Sequence, residues 1–310
     1  MAIEGRILIT GGRGFLGRHL VPELKKLGYS DIRCVGKSDA DLVSQYATSR
    51  LMCDLSPEIV IHLAANVGGI GANLHAGGQF FYDNMQMGLN AIEFARIAGA
   101  SKFIQIGTVC SYPKFASIPF KEEDLYRGYP EETNAPYGIA KRALHTMLSA
   151  YRHQYNFNGI YLLPVNMYGP GDNFDIVTGH VIPVIINKIQ YAIDAKESSI
   201  MCYGTGTATR EFIHVRDAAR GIALATQKHD GPAAVNIGSG SEIQIDSLIY
   251  MIAKIMDWDG EVEFNSDMPD GQPKRKLDVH RAKHLFGFEA EIILEKGIQE
   301  TVRWYRRNRG

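Results

Sequence analysis

The chain has 310 residues, 45% apolar and 22% charged, a composition that excludes wholesale disorder. Lys and Arg total 33 against 34 Asp and Glu, a formal net charge of -1, so no bulk charge draws the chain to nucleic acid or an anionic membrane. That length predicts one large domain or two coupled ones, and 32 glycines against 12 prolines point to tight turns rather than a proline-rich linker.

Cys34, Cys53, Cys110 and Cys202 are too scattered for a disulfide framework, and none forms the C-x-x-C pair of a structural zinc site. The opening MAIEGRILITGG reads as a strand running into a glycine turn rather than a signal peptide. No apolar run approaches the roughly 20 residues of a membrane helix. A cytoplasmic, reduced chain with no membrane or nucleic-acid partner is expected.

In chain order, Arg6–Ile9 predicts a buried strand, and Leu16, Leu20, Leu24 and Leu27 a helix over 15–27. Strands follow at Ile32–Val35 and Glu58–Leu63, a helix at Asn84–Ala98, a strand at Lys102–Ile106, a helix at Tyr137–His153 and a strand at Ile160–Val165. This alternation calls for an α/β fold with a Rossmann-type, doubly wound parallel sheet, whose ligands bind at the carboxyl ends of the strands. Beyond Gly169, helical patterns at 182–195, 215–228, 247–258 and 295–307 are separated by short strands and polar loops. They predict a smaller, mixed α/β substrate-binding domain over 170–310, with some segments free to return to a dinucleotide-binding domain over 1–169.

Thr10-Gly11-Gly12-Arg13-Gly14-Phe15-Leu16-Gly17 follows the first strand and opens the first helix. Gly11, Gly14 and Gly17 permit a tight turn that brings bare backbone and the helix N-terminus, with Phe15 and Leu16 in its first turn, against a pyrophosphate. Arg13 inside the loop and Lys37-Ser38 after the second strand favour the 2′-phosphate of NADP(H). Asp39 and Asp41 lie close by, and a one-residue shift of the strand end would instead suit NAD.

Tyr137 and Lys141, at i and i+4, share one helix face. An ammonium one turn away, with an oxidised nicotinamide, is expected to lower the phenol's pKa and equip it to exchange a proton with a carbonyl or alkoxide. Thr108, just beyond the fourth strand, sits where its hydroxyl could share a substrate oxygen with Tyr137. With its glycine turn, post-strand hydroxyl and Tyr-x-x-x-Lys, the chain resembles the extended short-chain dehydrogenase/reductase superfamily, in which serine is usual at the Thr108 position.

The resemblance narrows through His62-Leu63-Ala64-Ala65-Asn66-Val67-Gly68-Gly69-Ile70, Cys110-Ser111-Tyr112-Pro113-Lys114, Asn134-Ala135-Pro136-Tyr137, Tyr168-Gly169-Pro170-Gly171-Asp172-Asn173-Phe174, Gly179-His180-Val181-Ile182-Pro183, Arg210-Glu211-Phe212-Ile213-His214-Val215 and Pro269–Val279. Over essentially its whole length the chain is similar to the GDP-L-fucose synthase family. That resemblance implies NADPH-dependent C4 reduction of a GDP-linked 4-keto-6-deoxy sugar after inversion at C3 and C5. It implies proton-transfer roles for Cys110 and His180, and reduction through Tyr137 supported by Thr108 and Lys141. It makes Val67, Gly68, Asn166, Arg210 and the run Lys274-Arg275-Lys276, with Lys274 foremost, candidates for sugar and pyrophosphate binding. It also implies a homodimer through the helices near 84–98 and 137–153. A single-function C4-reductase or epimerase of a GDP- or dTDP-linked hexose or heptose, and a non-catalytic dinucleotide sensor, are the alternatives.

Overall fold

Six parallel strands make the central sheet in a computed structural model of the chain, which describes residues 5–309 except Pro269. The first half alternates β1 (Ile7–Thr10), α1 (Phe15–Lys26), β2 (Ile32–Val35), α2 (Gln45–Leu55), β3 (Ile59–His62), α3 (Ile70–Ile97), β4 (Lys102–Ile106), α4 (Ala135–Tyr155) and β5 (Gly159–Pro164). The inner strands are continuous apolar runs because helices cover both faces of a parallel sheet. Ile7, Leu8, Ile9, Val60, Ile61, Phe103 and Ile104 are all inaccessible to solvent.

The second half adds β6 (Asn166–Tyr168), α5 (Val181–Ala195), β7 (Ser199–Tyr203), β8 (Thr209–His214), α6 (Val215–Lys228), β9 (Val235–Ile237), β10 (Glu242–Gln244), α7 (Ile245–Ile255), β11 (Glu261–Asn265), β12 (Lys274–Arg275), α8 (His280–Phe286) and α9 (Leu294–Asn308). Sheet order is β2-β1-β3-β4-β5-β9, so the sixth strand comes from the second half and pairs Leu162–Pro164 with Val235–Ile237. Alanines and Ile222 of α6 and Phe286 of α8 pack into the same core as β1 and α1. A separate core joins α5, β7, α7 and α9 through Ile186, Ile189, Ile249, Ile252 and Ile298. A small sheet, β10-β8-β12 with β6 also on β8, lies between the two.

Strand order reverses between β1 and β3, and a crevice opens at such a switch point. Two helical stretches depart from expectation. α2 was not anticipated, although Ser44 caps it by accepting the Ala47 N–H. α3 begins at Ile70 rather than near Asn84, running through Gly71, Gly77 and Gly78 with a kink at Ala76 (φ -125°, ψ 23°). Glycines argue against a helix on propensity alone; of the three, Gly77 faces Pro136 in the first turn of α4, whereas Gly71 and Gly78 face open space.

Candidate active site

The glycine loop fills the switch point. Gly11 has φ +69°, and a Cβ there would lie 2.7 Å from the Ala64 nitrogen beyond β3, so only glycine meets both demands. Gly14 caps α1 in an extended conformation with no side-chain hydrogen bond, leaving the first-turn N–H groups for a ligand. A side chain on Gly17 would collide with the Gly12 carbonyl. This bare cradle fits a dinucleotide pyrophosphate. Leu16 is buried in the core and Phe15 packs on it, so what they offer a cofactor is backbone. Arg13, Lys37 and Ser38 are exposed at the adjacent end of β2. Arg13 is already engaged, its Nη2 lying 2.9 Å from Asp39 Oδ1.

The opposite wall is built from one turn and one helix. Thr108 follows β4 and caps a 3-10 turn over Val109–Ser111, its Oγ1 accepting the Cys110 N–H at 3.2 Å. This turn lies directly on α4, because Gly138 has no Cβ to hold off the Cys110 carbonyl, and Ser111 Oγ donates to the Gly138 carbonyl at 2.9 Å. Thr108, Cys110, Tyr137 and Lys141 therefore come together. Tyr137 and Lys141 are buried, and the ammonium lies 5.9 Å from the centre of the phenol ring. Among the described residues neither the phenol oxygen nor the ammonium has a hydrogen-bond partner.

Burial raises the Tyr137 pKa well above the ordinary phenol value, with Cys110 adding to it, and pushes Lys141 down to about 8. The expected lowering of Tyr137 is thus reversed in the protein alone, since desolvation outweighs a cation that is itself desolvated. A protonated phenol suits reduction, which requires an acid at the carbonyl oxygen.

Around Cys110 the chain gathers charge. Arg275 Nη1 lies 3.5 Å from its sulfur, and Asn134 Oδ1 lies 3.8 Å away as an acceptor. Glu131 fixes the Asn134 amide by accepting its Nδ2 at 2.7 Å, which turns the oxygen toward Cys110. Burial would raise the Glu131 carboxyl, but bonds from Thr133 and Asn134 with Arg275 nearby hold it below its usual value. Arg210 is buried, donates to the Thr209 and Asp270 carbonyls, and is lowered to about 9 by burial and by Arg275, so it stays charged at neutral pH.

His180 precedes α5 as its N-cap and is exposed, yet its ring is desolvated enough to lower its pKa. Its loop reaches the Val67–Gly69 turn, where the Gly69 N–H meets the Thr178 carbonyl at 3.4 Å and Gly68 lies against Ala72 and Phe80. Val67 is exposed there. Asn166 spends its amide N–H on the Glu211 carbonyl at 3.0 Å. In the Lys274-Arg275-Lys276 run Lys274 is exposed, and Arg275 turns inward because successive strand residues face opposite sides. Sequence reasoning also missed Glu131 and Asn134 as partners of Cys110; Asn134 lies in a quoted motif, while nothing local marks Glu131. Among the described residues no group of His, Cys, Asp and Glu is arranged to hold a metal ion.

A parallel sheet with a glycine cradle at its switch point and a Tyr-Lys helix beside it defines a dinucleotide-dependent enzyme class. Residues 7–238 match the model of the NAD dependent epimerase/dehydratase family, and the chain belongs to that family. It is 34% identical to the GDP-L-fucose synthase of Escherichia coli over 312 aligned residues, 98% of this chain and 97% of that one. It also resembles the structure of a GDP-6-OMe-4-keto-L-xylo-heptose reductase from C. jejuni, with TM-score 0.92, 28% identity and full coverage of both chains. Against a GDP-L-fucose synthetase from Naegleria fowleri bound to NADP, the TM-score is 0.89 at 26% identity, covering 99% of this chain and 96% of that one. The expected fold and family resemblance are borne out.

Proposed function

We propose that the chain is an NADPH-dependent epimerase-reductase of a GDP-linked 4-keto-6-deoxy sugar, epimerising C3 and C5 and reducing C4. The observation that carries this reading is the seating of the Thr108–Cys110 turn on α4, beside Tyr137 and Lys141 and against Arg275. A carbonyl at C4 acidifies the protons on its flanking carbons. Cys110 and His180 come from separate elements, and a thiol and an imidazole are both side chains able to give and take a proton at carbon. The Tyr137 phenol, with the Thr108 hydroxyl, stabilises the enolate oxygen and delivers a proton to O4. NADPH supplies the hydride when bound, held by the glycine cradle, Arg13, Lys37, Ser38, Tyr137 and Lys141. Buried Arg210 and Arg275 provide the cationic lining for a diphosphate, with Val67, Gly68 and Asn166 at the sugar.

In this reading residues 1–169 carry the cofactor and 170–310 the sugar nucleotide, with α6, β9 and α8 returning to the first unit. Free Cys34, Cys53, Cys110 and Cys202 are compatible with a reducing cytoplasm, and no described helix is long and apolar enough to cross a membrane. Exposed Phe81, Tyr82 and Ile97 on α3, with Tyr155 on α4, support a homodimer through those helices. Turnover of GDP-4-keto-6-deoxy-mannose with NADPH in deuterated water tests the function. Deuterium at both C3 and C5 of the reduced product is expected, and reduction without label removes epimerisation. The full-length likeness to a heptose reductase favours, as second reading, a C4-reductase alone.

A further inference from the structure

The sulfur of Cys110 is held between two groups, each fixed by a partner of its own. On one side Asn134 Oδ1 accepts from the thiol at 3.8 Å, and on the other Arg275 Nη1 donates to the sulfur at 3.5 Å. Arg275 is aimed by Gln272, whose Oε1 accepts Arg275 Nε at 3.0 Å. The Gln272 amide in turn donates to the Pro113 and Lys114 carbonyls at 3.2 and 2.9 Å, in the chain that leaves the Cys110 turn. Glu131, Asn134, Gln272 and Arg275 are all buried.

The Asn134 side is fixed by charge. An ionised carboxylate only accepts hydrogen bonds, so the amide must turn its NH2 end to Glu131. Glu131 Oε2 accepts Asn134 Nδ2 at 2.7 Å and Thr133 Oγ1 at 2.6 Å, and Oε1 accepts the Thr133 N–H at 3.1 Å. These bonds, with Arg275 nearby, hold the carboxyl below its usual pKa despite burial, so it is ionised at neutral pH. The amide oxygen is thereby left for the thiol. Turned over, the same amide would set a second donor against a sulfur that Arg275 already supplies with one, and the S–H would lose its acceptor.

We propose that Glu131 is a positioning residue for proton transfer at Cys110: its carboxylate locks the Asn134 amide with the oxygen toward the thiol, so the sulfur meets the sugar with one acceptor and one donor already set. The proposal rests on the epimerase-reductase reading and adds to it a residue that acts only through Asn134. Thr108 lies on the same turn but outside this clamp. Epimerisation therefore depends on Glu131, and reduction does not.

The two half-reactions, measured separately in the intact chain, test this. Glu131→Gln keeps the size but leaves one acceptor oxygen where the carboxylate has two. In this variant kcat for deuterium exchange into C3 and C5 of GDP-4-keto-6-deoxy-mannose is expected to fall about tenfold at an unchanged KM. Reduction of a pre-epimerised 4-keto sugar is expected to stay within about twofold of wild type. Asn134→Leu, of similar shape but with no acceptor, is expected to show the same split, and it decides the question if Glu131→Gln does not fold. Exchange that stays at the wild-type rate overturns the proposal. So does an equal fall in exchange and reduction, the mark of a displaced turn that carries Thr108 with it. Absence of exchange in the wild-type chain overturns the epimerase reading itself, and this proposal with it.

Discussion

The Cys110 carbonyl occupies the space that a side chain on Gly138 would need. Gly138 follows Tyr137, so the contact sets how the turn carrying Thr108 and Cys110 meets the helix carrying Tyr137 and Lys141. Gly138→Ala is expected to push the turn away, lowering turnover by about 10- to 100-fold and costing ~1–3 kcal/mol for overpacking. Steady-state kinetics and urea unfolding of the same preparation measure both effects, with NADPH affinity staying near wild type. Full activity in this variant would show that the contact is not needed for alignment.

Tyr137→Phe removes the proton donor without altering packing. Reduction should fall by about 10²–10⁴-fold while NADPH still binds, as followed by NADPH oxidation and by titration of the dinucleotide. If turnover is unchanged, Tyr137 is not the acid.

Cys110→Ser and His180→Gln should separate the two chemistries. Exchange of deuterium into C3 and C5 drops by at least about tenfold, whereas reduction of a pre-epimerised 4-keto sugar is largely preserved. Mass spectrometry of the product distinguishes this from a general loss of substrate binding, in which both activities fall together.

Lys141 is lowered to about 8 by burial, so its ammonium is present below that pH and lost above it. If the cation helps hold the cofactor and the phenol, kcat/KM for NADPH declines as pH rises through about 8. Lys141→Met should flatten that limb as well as lowering activity. A profile level to pH 10 would contradict this role for Lys141.

His62 is wholly buried at the end of β3, hydrogen-bonded through Nδ1 to Thr10 Oγ1 at 2.7 Å, and lowered from 6.5 to about 3 by burial and by Lys141. The unfolded chain takes up this proton near pH 6.5 and the folded chain only near 3, so the stability is fully present above 6.5 and drains away as pH falls between the two. Between pH 7 and pH 4 this one group should remove about 3 kcal/mol. His62→Gln should shrink the difference between urea midpoints at those two pH values, whatever its effect at neutral pH.

Much of the frame is legible in the sequence, because strands buried on both faces are unbroken apolar runs and the glycine turn lies between such a strand and an amphipathic helix. Ile59–His62 and Lys102–Ile106 are readable for that reason. The early start of α3 is not, since Gly71, Gly77 and Gly78 weaken the local helical signal there. Arg275 is hidden by register, where a one-residue shift along a strand exchanges the inward and outward faces. The contacts of Gly138 with Cys110, of Arg13 with Asp39, and of Glu131 through Asn134 with Cys110 link segments whose meeting depends on the fold.

Because β9 closes the sheet against β5, the order of synthesis matters. A ribosome finishes Pro164 well before Val235, and at about 5–20 residues per second the intervening ~70 residues take several seconds. Throughout that interval the outer edge of β5 carries unpaired peptide groups, a template for association with other nascent chains. A premature stop anywhere before Val235 would make that open edge permanent, so truncated products of this chain should be insoluble rather than partly functional.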